Sequence, residues 1–174
     1  MKPWSRQVLL LLLLLVAACS AIYDVSYDYD AEADLTNFGT YDWLPIPEGV
    51  RADDILVKRV KRATNAELGE KGLRMTADNP DFLIAMHAGS EEKVTQRDWG
   101  YTYSRNWHHG GGRSRAFRYQ EGTLVLDFID GESKELVWQG RAKGFVDKNS
   151  NPKKDDKLVN EAVRKILKEF PPRG

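Results

Sequence analysis

Residues 122–146 read GTLVLDFIDGESKELVWQGRAKGFV, and the fold class turns on this stretch. Leu124, Leu126 and Phe128 alternate with Val125, Asp127 and Ile129. Such period-two alternation sends one set of side chains to a core and the other to the opposite face of a sheet. Asp130-Gly131 is a hairpin turn signal. Leu136 to Val146 returns as the partner strand through Val137, Trp138 and Phe145, with Gly140 and Gly144 read as bulges.

Toward the C-terminus, residues 149–156 read as a polar loop containing Pro152. A helix is expected from Asp156 to Phe170. Its apolar stripe is Val159, Ala162, Val163, Ile166, Leu167 and Phe170, and Pro171-Pro172 closes it. Toward the N-terminus, Phe82 to Ala88 is an apolar strand, and Glu91 to Arg97 reads as a polar strand continuing in a hairpin. Asp78-Asn79-Pro80-Asp81 is a turn.

Asp53 to Lys71 is the clearest helix. Asp53 or Asp54 caps its first turn, Leu56, Val57, Val60, Ala63, Thr64 and Leu68 form its apolar face, and Gly72 stops it. The charged residues of this helix, Arg59 and Arg62 among them, lie mostly elsewhere and read as solvated. Leu73 and Met75 begin an extended segment. Tyr23, Val25, Tyr27 and Tyr29 alternate as a first strand. Phe38 to Trp43 is a second, ended by Pro45-Ile46-Pro47. The order β-β-α-β-β-β-β-α implies a two-layer α+β domain, a mostly antiparallel sheet with two helices packed on one face.

The first eighteen residues differ from all the rest. Lys2 and Arg6 are followed by the apolar run Val8 to Val16 and then by Ala17-Ala18-Cys19. Charge, apolar run and small residues, in that order, make a secretory signal. The competing reading is a membrane-spanning helix, which needs about 20 apolar residues. Val8 to Ala18 supplies 11, and Ser20 and Asp24 follow soon after. Residues 1–18 are therefore expected to be a signal peptide, and residues 19–174 a single periplasmic domain.

Cys19 is the sole cysteine of the 174 residues, so no disulfide is available to the domain. Removing Lys2 and Arg6 from 26 basic side chains leaves 24 against 26 acidic ones, a net charge of −2. Near neutrality gives no footing for nucleic acid.

The candidate binding segment is Trp99 to Tyr119, of which Trp99 to Gly112 reads as a long loop or extended hairpin tip. It carries Trp99, Tyr101, Tyr103, Arg105 and Trp107, then Gly110-Gly111-Gly112, with Arg113, Arg115 and Arg118 beyond. Aromatic rings beside guanidinium groups suit a protein, glycan or lipid partner. The same composition also fits a loop, or a hairpin whose rings fold back onto the sheet.

His108-His109, with His87, raises a metal site. Adjacent histidines on a strand point to opposite faces, and no HExxH motif or cysteine pair accompanies them, so no metal and no cofactor is expected. For catalysis there is no thiol nucleophile, no GxSxG elbow and no phosphate loop. Asp127, Asp130 and Asp53-Asp54 fit a strand, a turn and a cap as well as any acid–base role. The expectation is no enzyme; the alternative is an envelope hydrolase using carboxylate or histidine residues. A third reading is self-association through exposed sheet edges.

Two resemblances extend this. Val16-Ala17-Ala18-Cys19 resembles a bacterial lipobox, with Val16 where leucine is commoner. That resemblance implies cleavage before Cys19 and lipidation of its sulfur with diacylglycerol, the acyl chains being of the palmitate type. Ser20, not aspartate, follows the cysteine, which implies the outer membrane, facing the periplasm. The partner would then be the membrane itself, through the N-terminal lipid.

The second resemblance rests on order and spacing along the chain. Tyr27-Asp28-Tyr29-Asp30, Phe38 and Tyr41-Asp42-Trp43-Leu44-Pro45 come first, and Glu67-Leu68, Gly72-Leu73 and Pro80-Asp81-Phe82-Leu83 follow. Glu121 to Asp127, Leu136-Val137-Trp138-Gln139-Gly140 and Phe170-Pro171-Pro172 complete the set. Together they resemble the lipoprotein family called domain of unknown function 4136. Lys143 and Gly144 depart from the pattern by interrupting the last strand's apolar alternation. The resemblance implies a secreted α+β lipoprotein and supplies no catalytic residues. The expected role is a lipid-anchored binding or envelope-maintenance module.

Overall fold

The structure, a computed structural model, describes residues 21–46, 53–97 and 115–172. The elements are β1 (Ile22–Tyr29), a 3-10 turn (Leu35–Asn37), β2 (Thr40–Trp43), α1 (Asp54–Glu70), β3 (Arg74–Met75), β4 (Phe82–Arg97), β5 (Arg115–Asp130), β6 (Leu136–Val146) and α2 (Pro152–Leu167). They form a six-stranded sheet in the order β1-β6-β5-β4-β2-β3. The α+β expectation holds: the sheet is mostly antiparallel and carries the two helices against one face. β2 departs from it by running parallel to both neighbours. A parallel partner needs a crossover, and α1 supplies it between β2 and β3.

Hairpin register places Ile84, Phe128 and Trp138 side by side, with Met86, Leu126 and Gly140 in the next row. This face meets Val60, Ala63 and Leu68 of α1 and Val163, Ile166 and Leu167 of α2. Phe82, Phe128, Trp138 and Phe170 pack as an aromatic centre, with neighbouring ring centroids 4.6 to 5.8 Å apart. Each such ring buries some 150–250 Å² and anchors the layer contact.

Local chemistry explains the boundaries. Asp53 caps α1 by accepting from the amides of Ile55 and Leu56, and Gly72 follows at φ +88°. Asn65 joins α1 to β2, its Oδ1 accepting from Trp43 Nε1 at 2.9 Å and from the Tyr41 hydroxyl at 3.2 Å.

Four expectations need correction. Phe82–Ala88 and Glu91–Arg97 are not two strands of a hairpin but one 16-residue strand, β4. Its partner β5 begins at Arg115, seven residues before the expected Gly122, so Arg115–Tyr119 at the end of the candidate binding segment are part of that strand. Neither extension carries the regular apolar alternation by which a half-buried strand is read from sequence. The second helix begins at Pro152 rather than Asp156: Asn151 is its cap, and proline at its start lacks only an amide that would be unpaired anyway. Phe170 lies beyond that helix yet is buried, returning onto the sheet.

The Asp130-Gly131 hairpin also closes more widely than a two-residue turn. Asp130 N donates to Glu135 O, and the Asp130 carboxylate accepts from the amides of Glu132 and Ser133. Gly131 is required for contact: a Cβ there would lie 2.0 Å from the Pro80 carbonyl oxygen. Gly144 lies within β6, opposite Ile22 on one side and Gly122 on the other, so the strand continues through it to Val146.

Candidate functional site

The sheet is longer than the helices that cover it. β1 ends its pairing at Gly144 and β6 at Gln120, while β4 and β5 continue as a two-stranded ribbon to Arg97 and Arg115. Where helix cover runs out, the sheet's inner face carries small residues: Ala88 and Ser90 on β4, Gly122 on β5, Ala142 and Gly144 on β6. Val146 and Ile22 fold over Gly122 and Gly144, while Ala88 and Ser90 stay exposed, so a hollow flanked by the helices remains over this floor. The cleft there has a volume of about 770 Å³. Its apolar walls include Leu56 and Val57 of α1, Leu158 and Val159 of α2, and Leu124 and Val146 of the sheet. This volume lies within the roughly 300–1,000 Å³ usual for ligand sites.

Ionic groups around the cleft are matched to one another. Arg59 spans the two helices, with Nε 2.8 Å from Asp156 Oδ1 and Nη1 3.6 Å from Asp155 Oδ2. Its side chain is only 15% exposed, so it is not the solvated residue that periodicity indicates. Lys61 Nζ stands 5.1 Å from the ring centre of Trp43, a cation–π contact. Lys148 Nζ lies 3.5 Å from Glu92 Oε2. Such a site favours an apolar occupant over a strongly charged one.

The opposite sheet face is polar, and two of its side-chain groups bear on chemistry. Asp127 takes His87 Nε2 at 3.1 Å on one oxygen and accepts from Gln139 Nε2 at 2.8 Å on the other. This is an Asp–His pair of the kind an acid–base enzyme uses, but His87 is 67% exposed and stands on an open strand, not in a closed pocket. In the second group, Glu121 is 7% exposed and accepts a hydrogen bond from the Tyr23 hydroxyl. Loss of solvent, followed by that bond to a carboxylate, pushes the Tyr23 phenol above its ordinary range. Phe145 packs between Tyr23 and Tyr119 at ring separations of 4.8 and 5.1 Å.

The residues singled out in the sequence are mostly not brought into these groups. Cys19, Trp99, Tyr101, Tyr103, Arg105, Trp107, His108, His109 and Arg113 lie outside the described residues. Tyr119 falls on β5, on the polar face. Among the described residues, no three His, Cys, Asp or Glu side chains are grouped to hold a metal ion. The cleft escaped sequence reading, because its signal is a deficit: Ala88, Ser90, Gly122, Ala142 and Gly144 at inward positions where bulk belongs.

Two solved structures share the architecture. A PDZ domain protein from Parabacteroides distasonis aligns with 88% of this chain at 16% identity and a TM-score of 0.59. This chain spans about a third of that protein's length, 36%. A variant PelC dodecamer from Paraburkholderia phytofirmans aligns with 87% of this chain and 98% of its own, at 12% identity and a TM-score of 0.50. At these identities the likeness is one of fold. No curated protein matches the sequence. The family described as Domain of unknown function (DUF4136) matches residues 25–172, which takes in almost every strand and both helices. The chain therefore belongs to the DUF4136 family, as the order of its motifs from Tyr27 to Pro172 indicated.

Proposed function

We propose that this protein is a lipid-anchored module of the bacterial envelope that binds a ligand or partner and carries out no reaction of its own. The observation that carries the reading is the open cleft of about 770 Å³, apolar and charge-balanced, in a chain whose leader ends in a lipobox-like Ala17-Ala18-Cys19. No helix among the described residues is long and apolar enough to cross a membrane, which is consistent with attachment through a lipid. Transport to the outer membrane, facing the periplasm, is part of the proposal and is supported by Ser20. The β4–β5 ribbon leads into residues 98–114, which hold Trp99, Tyr101, Tyr103, Arg105 and Trp107. Those side chains suit contact with an envelope protein, glycan or lipid.

The test is capture by crosslinking in intact envelopes, with the lipidated protein tagged at Gly174 and a version lacking Tyr101 to Arg115 beside it. One dominant partner that disappears with the deletion is expected. Capture unchanged by the deletion removes residues 101–115 from the reading, and no specific partner in either sample overturns the binding role. A second reading, an envelope hydrolase, has the Asp127–His87 contact in its favour. Hydrolysis of an envelope substrate, lost in His87→Ala, would establish it in place of the first.

A further inference from the structure

The cleft and the start of the domain are at the same place. Ile22 is one of the residues lining the cleft. It pairs with Gly144, which pairs with Gly122, which pairs with Ser90, so β1 enters the sheet at the level of the small-residue floor. The entry is held there. Lys165 Nζ donates to the Ile22 carbonyl at 2.9 Å, and the Phe145 amide donates to the Ala21 carbonyl at 3.1 Å. A Cβ on Gly144 would meet Ile22 Cδ1 at 2.6 Å, so the isoleucine lies directly on the glycine.

Cys19 is three residues before Ile22. An extended chain covers at most about 3.3–3.6 Å per residue, so the Cys19 Cα lies within about 11 Å of the Ile22 Cα at the cleft wall, and its sulfur within about 14 Å. A ligand tethered so closely faces its site at an effective concentration on the order of millimolar, well above that of a free competitor.

We propose that the cleft holds an acyl chain of the lipid on Cys19 whenever the protein is out of the membrane. This rests on the lipid-anchored reading above. The occupant fits in three respects. Leu56, Val57, Leu124, Val146 and Leu158 give it an apolar wall. The rim cations Arg59, Lys61 and Lys148 are engaged by Asp155 and Asp156, by Trp43 and by Glu92, so the site is matched to an uncharged glyceride better than to a free fatty acid or a phospholipid headgroup. The chain also enters at the cleft, so no long connection has to be ordered. In the membrane the acyl chain returns to the bilayer and the cleft is vacated.

The experiment uses the full lipidated protein, grown on a photoreactive palmitate analogue and purified as a mixture of isotopically light and heavy molecules. Irradiation follows dilution of detergent below its micellar concentration, and crosslinked peptides are read by mass spectrometry. Crosslinks from the Cys19 lipid to Met86, Leu124 or Leu158 within one molecule are expected. They should fall about tenfold in Ala88→Trp, which fills an exposed position on the floor and excludes a chain by clash. Ser90→Trp serves as a second such variant, and circular dichroism checks that each is folded.

Label on Cys19 with crosslinks scattered over the surface, only between molecules, or undiminished in both variants overturns the proposal while leaving the anchor intact. Crosslinks to a co-purified lipid instead of the cleft overturn it too. A Cys19 peptide with no label removes the anchor itself, and the proposal with it.

Discussion

The indole of Trp138 lies across Gly140, two residues further along the same strand. A Cβ at Gly140 would stand 2.3 Å from Trp138 Cη2 and 2.5 Å from Ile166 Cγ2. The glycine is thus what lets the largest core side chain lie flat while α2 closes over it. Gly140→Ala should cost about 2–3 kcal/mol, the usual scale of forced overpacking, because neither the indole nor the helix has room to withdraw. Gly89→Ala is the matched control, since nothing lies within 4 Å of its added Cβ. It should change stability by less than about 0.5 kcal/mol. Urea denaturation of the three proteins decides it, and equal losses at both glycines would refute the contact account.

Thr64 is fully buried on α1, and its Oγ1 has no hydrogen-bond partner among the described residues. Burying a hydroxyl without a bond costs about 1–3 kcal/mol. Valine has the same shape without that cost. Thr64→Val should therefore raise stability by about 1 kcal/mol, visible as a higher urea midpoint at unchanged slope. A loss of stability would mean that the hydroxyl is satisfied after all.

These two cases mark what sequence pattern could and could not disclose. The 3.6-residue period correctly put Val60, Ala63, Thr64 and Leu68 on the buried face of α1. Alternation likewise identified Leu124, Leu126 and Phe128 as one face. Those signals are strong because burial of apolar area imposes them residue by residue. Polarity obscured the rest. Glu91–Arg97 and Arg115–Tyr119 pair as strand by register, but their sequence lacks the apolar alternation that announces one. The parallel partnership of β2 has no local turn to announce it. Pro152 reads as a breaker, although Asn151 makes it a helix start. The cleft depends on Gly144 facing Ile22 across 122 residues of chain, which one-dimensional periodicity does not hold.

Asp81 ties the start of β4 to the start of β2. One of its oxygens accepts from the Gly39 amide, the Thr40 amide and the Thr40 hydroxyl, each at 2.8 Å. The Gly39 amide leads in holding this carboxyl below its ordinary range. A depressed folded-state value means that the stabilisation is complete above the unfolded value of about 3.9 and is lost as pH falls through the folded one. Asp81→Ala should cost about 1 kcal/mol at neutral pH, the small end for a charged acceptor because the carboxylate is exposed. Below that window the difference from the wild type should shrink toward zero. Asp130, held low first by the Ser133 amide, adds a second acid-labile contribution. Stability measured from pH 7 down to pH 2 should therefore fall least steeply in the double variant Asp81→Ala, Asp130→Ala. A slope equal to the wild type's would exclude both carboxylates as the source.

Two arginines reach the same carboxylate oxygen, and burial should separate their effects. Arg59 Nε lies 2.8 Å and Arg62 Nη2 3.0 Å from Asp156 Oδ1, with side chains 15% and 64% exposed. Arg59 is held against the cleft wall by its packed stem, so its removal loses contact area along with charge. Arg62 meets water on most sides, where an ion pair contributes little and salt screens it. Arg59→Ala should therefore cost about 1–2 kcal/mol, and Arg62→Ala less than about 0.5 kcal/mol. The larger penalty of 3–5 kcal/mol for an orphaned buried charge is not expected, since Arg62 still faces Asp156 when Arg59 is gone. A double-mutant cycle between Arg59→Ala and Asp156→Ala isolates the pair, with a coupling of about 0.5–1 kcal/mol expected at low salt. Coupling of that size for Arg62 and none for Arg59 would reverse the assignment, making the exposed arginine the link between the two helices that wall the cleft.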